Sequence, residues 1–291
     1  LNALYLRSYI EVIVIVYSQE FMKKILKHGL RTEINGQIEK LICQSRLKDK
    51  PLMPLKPLGI DEQLAEHLYT LKCKDLAIAQ NSEAKDKFVH CFLSAIREKS
   101  LMFSNIGITS SGMSYLLSAI GVRTSFAVLD LSCNRLEDTG AEIVAAFIKC
   151  NSYIASIDLR SNNIGQKGSR DIFKALRYNT HVVEIDFSTI SGNHRNRVDQ
   201  EGAEELGYTL KQNQVLQSIN LSAIGLTPES CASIWNGAVS SESLTAIDLS
   251  QNRIGPKGGK ALFNYEGALG NLQRINLARC CIGDAAAFLL L

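Results

Sequence analysis

Residues 126–153 and 154–181 are two copies of one pattern, and that repetition dictates much of what the chain can become. FAVLDLSCNRLEDTGAEIVAAFIKCNSY aligns without a gap over IASIDLRSNNIGQKGSRDIFKALRYNTH. Leu129 then meets Ile157, Leu131 meets Leu159, Asn134 meets Asn162, Leu136 meets Ile164 and Gly140 meets Gly168. Each 28-residue unit reads LxLxxNxLxxxG, followed by an amphipathic run. Such a unit cannot bury its apolar face alone. Stacked copies can, because each covers its neighbour.

The frame continues in both directions. Ile185 and Phe187 open a third unit, whose Gly202 arrives six residues late. Ile219 and Leu221 open the next. Ile247, Leu249, Asn252, Ile254 and Gly258 form another complete copy, and Ile275, Leu277 and Ile282 begin a last one. Toward the N-terminus, Leu101, Phe103, Ile108 and Gly112 give a weaker copy, and Leu76, Ile78 and Asn81 a degenerate one. The repeats are expected to span residues 73–291. Leu129 and Leu131 alternate with outward-facing residues, as in a short strand. The following helix is expected to bury Ile143, Ala146 and Phe147 in one unit, and Ile172, Ala175 and Leu176 in the next. The Asn at the turn can satisfy exposed backbone groups with its amide. It is present at 134, 162 and 252, and the frame puts Ile106, Ile190, Ile224 and Cys280 in its place elsewhere.

LDLSCNRLEDTGAEIVAAF, IDLRSNNIGQKGSRDIFKAL and IDLSQNRIGPKGGKALF resemble leucine-rich repeats. Their 28-residue length and full helix resemble the ribonuclease-inhibitor-like subfamily in particular. The resemblance implies an α/β solenoid, a horseshoe with parallel inner strands and outer helices, used for binding proteins. Relatives include the Ran GTPase-activating protein, sensor domains of NOD-like receptors, and centrosomal and flagellar components.

The rest of the chain is expected to be a mostly helical N-terminal extension. Residues 1–21 contain the β-prone run YIEVIVIVY, too short to span a membrane and without the basic start and cleavage site of a signal peptide. It reads either as an added element on the solenoid or as sequence preceding a native start at Met22. Residues 22–72 form the helical cap, interrupted by the proline-rich linker 51–59, with Asp61 capping a short helix DEQLAEHLYTL. At the other end the repeat domain reads as uncapped, because GDAAAFLLL is apolar.

Charge excludes some partners. The formal net charge is only +3, too small to imply nucleic acid, and the repeats are near neutral. Eight cysteines are scattered without a CxxC pair, and five histidines fall on different elements. No cofactor or metal is expected, and the scattered cysteines read as reduced thiols of a cytoplasmic protein. No nucleophile and base share a local frame, so the chain reads as a non-enzyme. GPKGGK (255–260) lacks phosphate-loop spacing and occupies the same repeat position as GQKG (165–168).

Two groups of residues are candidate binding sites. The first is a row facing outward from the strands: Asp130, Asp158, Asp186, Asn220, Asp248 and Asn276, with Arg160 and Glu184 beside it. Carboxylates one strand apart repel one another, so this strip favours a protein partner with a basic surface. Asp between the two apolar positions is also ordinary in such repeats. The second is the six-residue excess, placed within 191–197, which carries His194, Arg195 and Arg197 on the rim beside the next helix. Two arginines at a helix N-terminus suit an acidic side chain or an anion, whereas a tolerated solvent loop would need neither. The expected function is a protein-interaction scaffold, in a cytoskeletal, ciliary or regulatory assembly. The alternative is a GTPase-activating protein similar to the Ran activator. Oligomeric state and partner identity are left open.

Overall fold

The computed structural model describes residues 60–121, 126–190, 194–263 and 270–283. The segment 1–21, the helix expected over 22–48 and the linker 51–59 lie outside the described residues, as does the apolar end 284–291.

Among the described residues, seven strands form one parallel sheet in strict chain order. They are β1 (Ser100–Met102), β2 (Val128–Asp130), β3 (Ser156–Asp158), β4 (Glu184–Asp186), β5 (Ser218–Asn220), β6 (Ala246–Asp248) and β7 (Arg274–Asn276). Each is only three residues long, and its middle residue points into the core. Register follows the repeat: Leu129 pairs with Ile157 and Ile157 with Ile185, then Ile185 with Ile219 across the longer unit.

Helices follow the strands: α3 (Ser110–Gly121), α4 (Glu137–Cys150), α5 (Gln166–Tyr178), α6 (Gln200–Gln212), α7 (Pro228–Val239) and α8 (Gly255–Phe263). They pack side by side in sequence order. One continuous core lies between helices and sheet, including Leu101, Leu129, Ile157, Ile185, Ile219, Ile247 and the fully buried Trp235. The buried face of α5 is as expected, with Ile172, Phe173, Ala175 and Leu176 inside. In α4 it is rotated: Val144, Ala145, Phe147 and Ile148 are inside, while Ile143 and Ala146 are half-buried. The repeat register itself demands this, because Val144 lies 28 residues before Ile172.

The expected first repeat around Leu76–Asn81 does not form. Its place is taken by a helical hairpin, α1 (Glu62–Asp75) and α2 (Ser82–Ser94), and the strands begin only at Ser100. Asp61 caps α1 by accepting from Leu64 N at 3.0 Å, and α1 runs on past Leu71. The chain then turns through Ala77 at φ 52°, Ile78 stays 54 % exposed, and Asn81 caps α2 instead of a strand turn. Short apolar alternation in Leu76–Ile78 imitates a strand, but the preceding helix is long enough to claim the segment. Phe92 of α2 stacks on Phe103, with centroids 4.8 Å apart, and so seals the first repeat. Residues 95–97 cover the β1 edge, with Met102 N donating to Ala95 O and Arg97 N to Ser100 O.

Candidate functional site

The chain leaves each strand through a tight turn, and buried amides hold these turns together. Asn134 Nδ2 donates to the carbonyls of Phe103, Leu131 and Ser132, while its Oδ1 accepts from Gly107 N and Ile108 N. Asn252 repeats this with Leu221, Leu249, Ser250, Gly225 and Leu226. Asn162 donates likewise to Leu131, Leu159 and Arg160. Cys280 occupies the same place, 1 % exposed, with its thiol 3.1 Å from Leu249 O.

The expected substitution by Ile190 is corrected. Asn196 fills that position: its Nδ2 donates to Leu159, Phe187 and Ser188 carbonyls and its Oδ1 accepts from Asn162 N and Ile164 N. The six additional residues therefore precede Asn196, and Ile190 is 48 % exposed at their start. A second set of amides, unseen in the sequence reading, closes the helix-to-strand turns. Asn151, Asn179 and Asn213 each accept from two backbone N–H groups, and Asn179 and Asn213 also donate to carbonyls of the preceding unit. Their spacing of 28 and then 34 residues was the available signal.

The acidic row is assembled in register, but it is less free than the sequence implies. Each member caps its own turn: Asp130 accepts from Ser132 N, Asp158 from Arg160 N, Asp186 from Ser188 N and Asp248 from Ser250 N. Asp130 is only 8 % exposed and also takes the Ser132 hydroxyl. Arg160 Nε lies 2.8 Å from Asp158 Oδ2 and 3.6 Å from Asp186 Oδ2. Asn220 donates to Asp186 and Asn276 to Asp248. The charges thus face neighbours that answer them, which offsets the repulsion expected from strand spacing alone. Burial still pushes the Asp158 carboxyl above the ordinary carboxylate range, against the pull of Arg160 and with Asp186 adding to the rise. The Arg160 guanidinium is held more firmly protonated, chiefly by its bond to Asp158.

Glu184 stands apart. It is exposed at the start of β4, and Ser156 Oγ donates to it at 3.3 Å. Beside it runs a trough of about 500 Å³ on the open face of β4 to β7, lined by Glu184, Asp186, Ser218, Asn220, Asp248 and Arg274 among others.

His194, Arg195 and Arg197 lie on the strand-exit rim, away from the acidic row. His194 adopts φ 45° and its carbonyl accepts from Asn163 N, while Arg197 N donates to Ile164 O. Arg195 reaches forward and donates Nε to Ala223 O at 3.0 Å. The N-terminus of α6 is not open to an anion as expected, because Asp199 already accepts from Gly202 N at 2.8 Å. A rim cavity of about 520 Å³ is lined by Arg195, Gly225, Leu226, Gln251 and Arg253. Arg253 was not singled out by sequence, although it follows Asn252 as Arg197 follows Asn196.

Among the described residues no group of His, Cys, Asp or Glu is arranged to hold a metal ion, and no helix is long and apolar enough to cross a membrane. Among the described residues, Cys73, Cys91, Cys133, Cys231, Cys280 and Cys281 are free thiols. Burial pushes the Cys231 thiol up to about 12, so it stays protonated and unreactive.

The family comparison agrees with the repeat architecture. Residues 124–145, 240–263 and 271–291 match the family described as Leucine Rich repeat. A 97-residue stretch, 32 % of the chain, is 35 % identical to NACHT, LRR and PYD domains-containing protein 5 of Mus musculus and spans 8 % of that protein's length. Among solved structures, Leiomodin-1 Actin-Binding Site 2 is similar at a TM-score of 0.40 and 25 % identity, over 48 % of this chain and 79 % of that one. The tropomodulin C-terminal domain of Caenorhabditis elegans is similar at a TM-score of 0.42 and 12 % identity, over 53 % and 88 %.

Proposed function

The chain is a leucine-rich repeat protein, and we propose that it is a non-catalytic scaffold that grips a protein partner across its sheet face and strand-exit rim. The observation that carries this reading is the trough of about 500 Å³ spanning four consecutive strands. Polar and charged side chains from neighbouring repeats line it, and Asp186, Asn220, Asp248 and Asn276 among them are each held by their own turn. A surface built this way offers many small contacts over a long path, which suits a protein chain more than a single small substrate. The acids of the row act as fixed acceptors, and Glu184 with Arg274 supplies exposed charge at its edge. The exposed Glu184, with the partly covered Asp158, Asp186 and Asp248 behind it, favours basic groups on the partner. Arg195 and Arg197 extend the surface onto the rim.

The test is crosslinking mass spectrometry of the full chain captured from native extract, run beside Glu184→Lys and a charge reversal on the helix side, Lys174→Glu. Crosslinks from the sheet face to one recurring protein, weakened about tenfold by Glu184→Lys and unchanged by Lys174→Glu, support the scaffold. Crosslinks confined to the helix side would reject this face. Stimulated GTP hydrolysis by a captured small GTPase would replace the scaffold reading with an activator.

A further inference from the structure

The strand-exit rim carries arginines whose charge nothing in the described structure answers. Arg195, Arg197, Arg253 and Arg279 are all exposed, and none forms an ion pair among the described residues. Three acids on the same side are already engaged. Asp199 caps α6 and lies 3.7 Å from Arg170, Glu201 pairs with Arg170, and Glu229 pairs with Lys257 at 2.8 Å.

Repeat geometry brings these arginines into two adjacent rows. Arg197, Gly225 and Arg253 each follow a ladder position, namely Asn196, Ile224 and Asn252. Ala223, Gln251 and Arg279 each precede one, as does Arg195. The two rows meet at the cavity of about 520 Å³, where Arg195 and Arg253 stand on either side of Gly225. Gly225 has φ +82°, and a Cβ there would sit 3.4 Å from Arg195 Nη2, so glycine leaves the floor of the cavity open beneath that guanidinium. Arg195 spends only its Nε on the Ala223 carbonyl. Its terminal N–H groups and the whole Arg253 fork meet no acceptor among the described residues, and a guanidinium fork matches a carboxylate in shape and charge. Gln251 adds an amide that can both donate to and accept from a peptide backbone.

We propose that this rim cavity binds a carboxylate-rich segment of a partner protein, with Arg195 and Arg253 as its two charge contacts. The proposal rests on the scaffold reading in expecting a protein ligand, and it adds a second site of opposite charge preference to the sheet face. A partner using both would present basic groups to the strands and an acidic segment to the rim. A peptide is favoured over a free anion because Arg197 and Arg279 continue the two rim rows beyond the cavity and extend the positive field in both directions.

The experiment uses the purified full chain and a short fluorescent peptide of alternating Glu and Gly, with its Gln–Gly counterpart as control. Fluorescence anisotropy is expected to show binding of the Glu peptide only, weakened by salt. Arg195→Ala and Arg253→Ala should each reduce affinity about tenfold, whereas Arg135→Ala, which removes the same charge from an exposed rim position outside the cavity, should not. Thermal melts followed by Trp235 emission confirm that each variant is folded. Equal weakening by Arg135→Ala, equal binding of the Gln peptide, or no binding would overturn the proposal. Inorganic phosphate displacing the peptide at matched concentration would also overturn it, in favour of a small-anion site. Because no partner is needed, failure here leaves the sheet-face reading standing, and failure of the Glu184 test leaves this one standing.

Discussion

Asn196 closes the gap that the inserted residues open in the solenoid. Its amide serves five backbone groups drawn from two successive units, and it is fully buried. Asn196→Ala strands those groups away from water. Each buried unsatisfied group costs about 1–3 kcal/mol, and with partial relaxation a loss of about 3–5 kcal/mol is expected in urea unfolding. Arg197→Ala, one residue on and exposed, should change stability by less than about 0.5 kcal/mol. Similar effects from both would mean that the ladder does not pass through Asn196. Asp158 and Arg160 give a prediction about pH. A carboxyl whose folded pKa is raised keeps its proton longer in the folded chain than in the unfolded one. Its contribution therefore favours folding at acid pH and is lost as pH rises through the folded value. Arg160 limits that loss. Arg160→Ala should raise the Asp158 pKa further, read by carboxyl NMR. It should also cost about 1–2 kcal/mol near pH 7 but much less near pH 3, where Asp158 is protonated. An unchanged Asp158 titration would show that the pair is not coupled.

At the level of elements, α6 and α7 approach one another backbone to backbone. A Cβ on Gly207 would lie 2.3 Å from Ser233 O, and one on Gly237 would lie 2.2 Å from Gly207 O. Ala is the better helix former by about 1 kcal/mol, yet Gly207→Ala must push the helices apart, so a net loss of about 1–3 kcal/mol is expected in thermal or urea melts. Gly121→Ala in α3, where the new methyl meets nothing among the described residues, is the control and should not destabilise. A stabilised Gly207→Ala would mean that the helices are not in contact there. Nothing in the spacing of Gly207 or Gly237 announces this contact, because it depends on how closely two helices cross. The sequence was legible wherever a residue's role is fixed by its own repeat. Leu129, Leu131 and Asn134 predict their strand, core side and turn, and the strand register follows directly. It misled where a local pattern competes with a neighbouring element, as at Leu76–Ile78, and where an insertion relocates a role, as from Ile190 to Asn196. The acidic row shows the same limit at the candidate site. The sequence places the carboxylates side by side but does not show that each is already held by its own turn, or that Arg195 crosses to the next unit and lines one cavity with Arg253.

At the largest scale, the described repeats form a linear stack, and that should govern how they come apart. Strands pair only with sequence neighbours, and helices pack in the same order, so one end communicates with the other only through the units between them. The two ends can be watched separately. Trp235, the single tryptophan, is fully buried in α7 and reports on the C-terminal units. At the N-terminal end Phe92 is fully buried against Phe103, where the helical hairpin covers the first repeat. Phe92→Ala removes that seal, a change worth about 3–5 kcal/mol at a buried aromatic. If coupling decays along the stack, β1, α2 and α3 should lose amide protection by at least about tenfold in hydrogen exchange while α7 keeps its own. The circular dichroism melt should broaden toward low temperature, and the Trp235 transition should move less. Equal acceleration of exchange at both ends, with coincident dichroism and fluorescence transitions, would show instead that the units unfold as one block. The scaffold would then present its sheet face and its rim as a single rigid surface, and a partner bound at the rim cavity would stabilise β1 as strongly as β6. With local unfolding, the same partner would protect the C-terminal units alone.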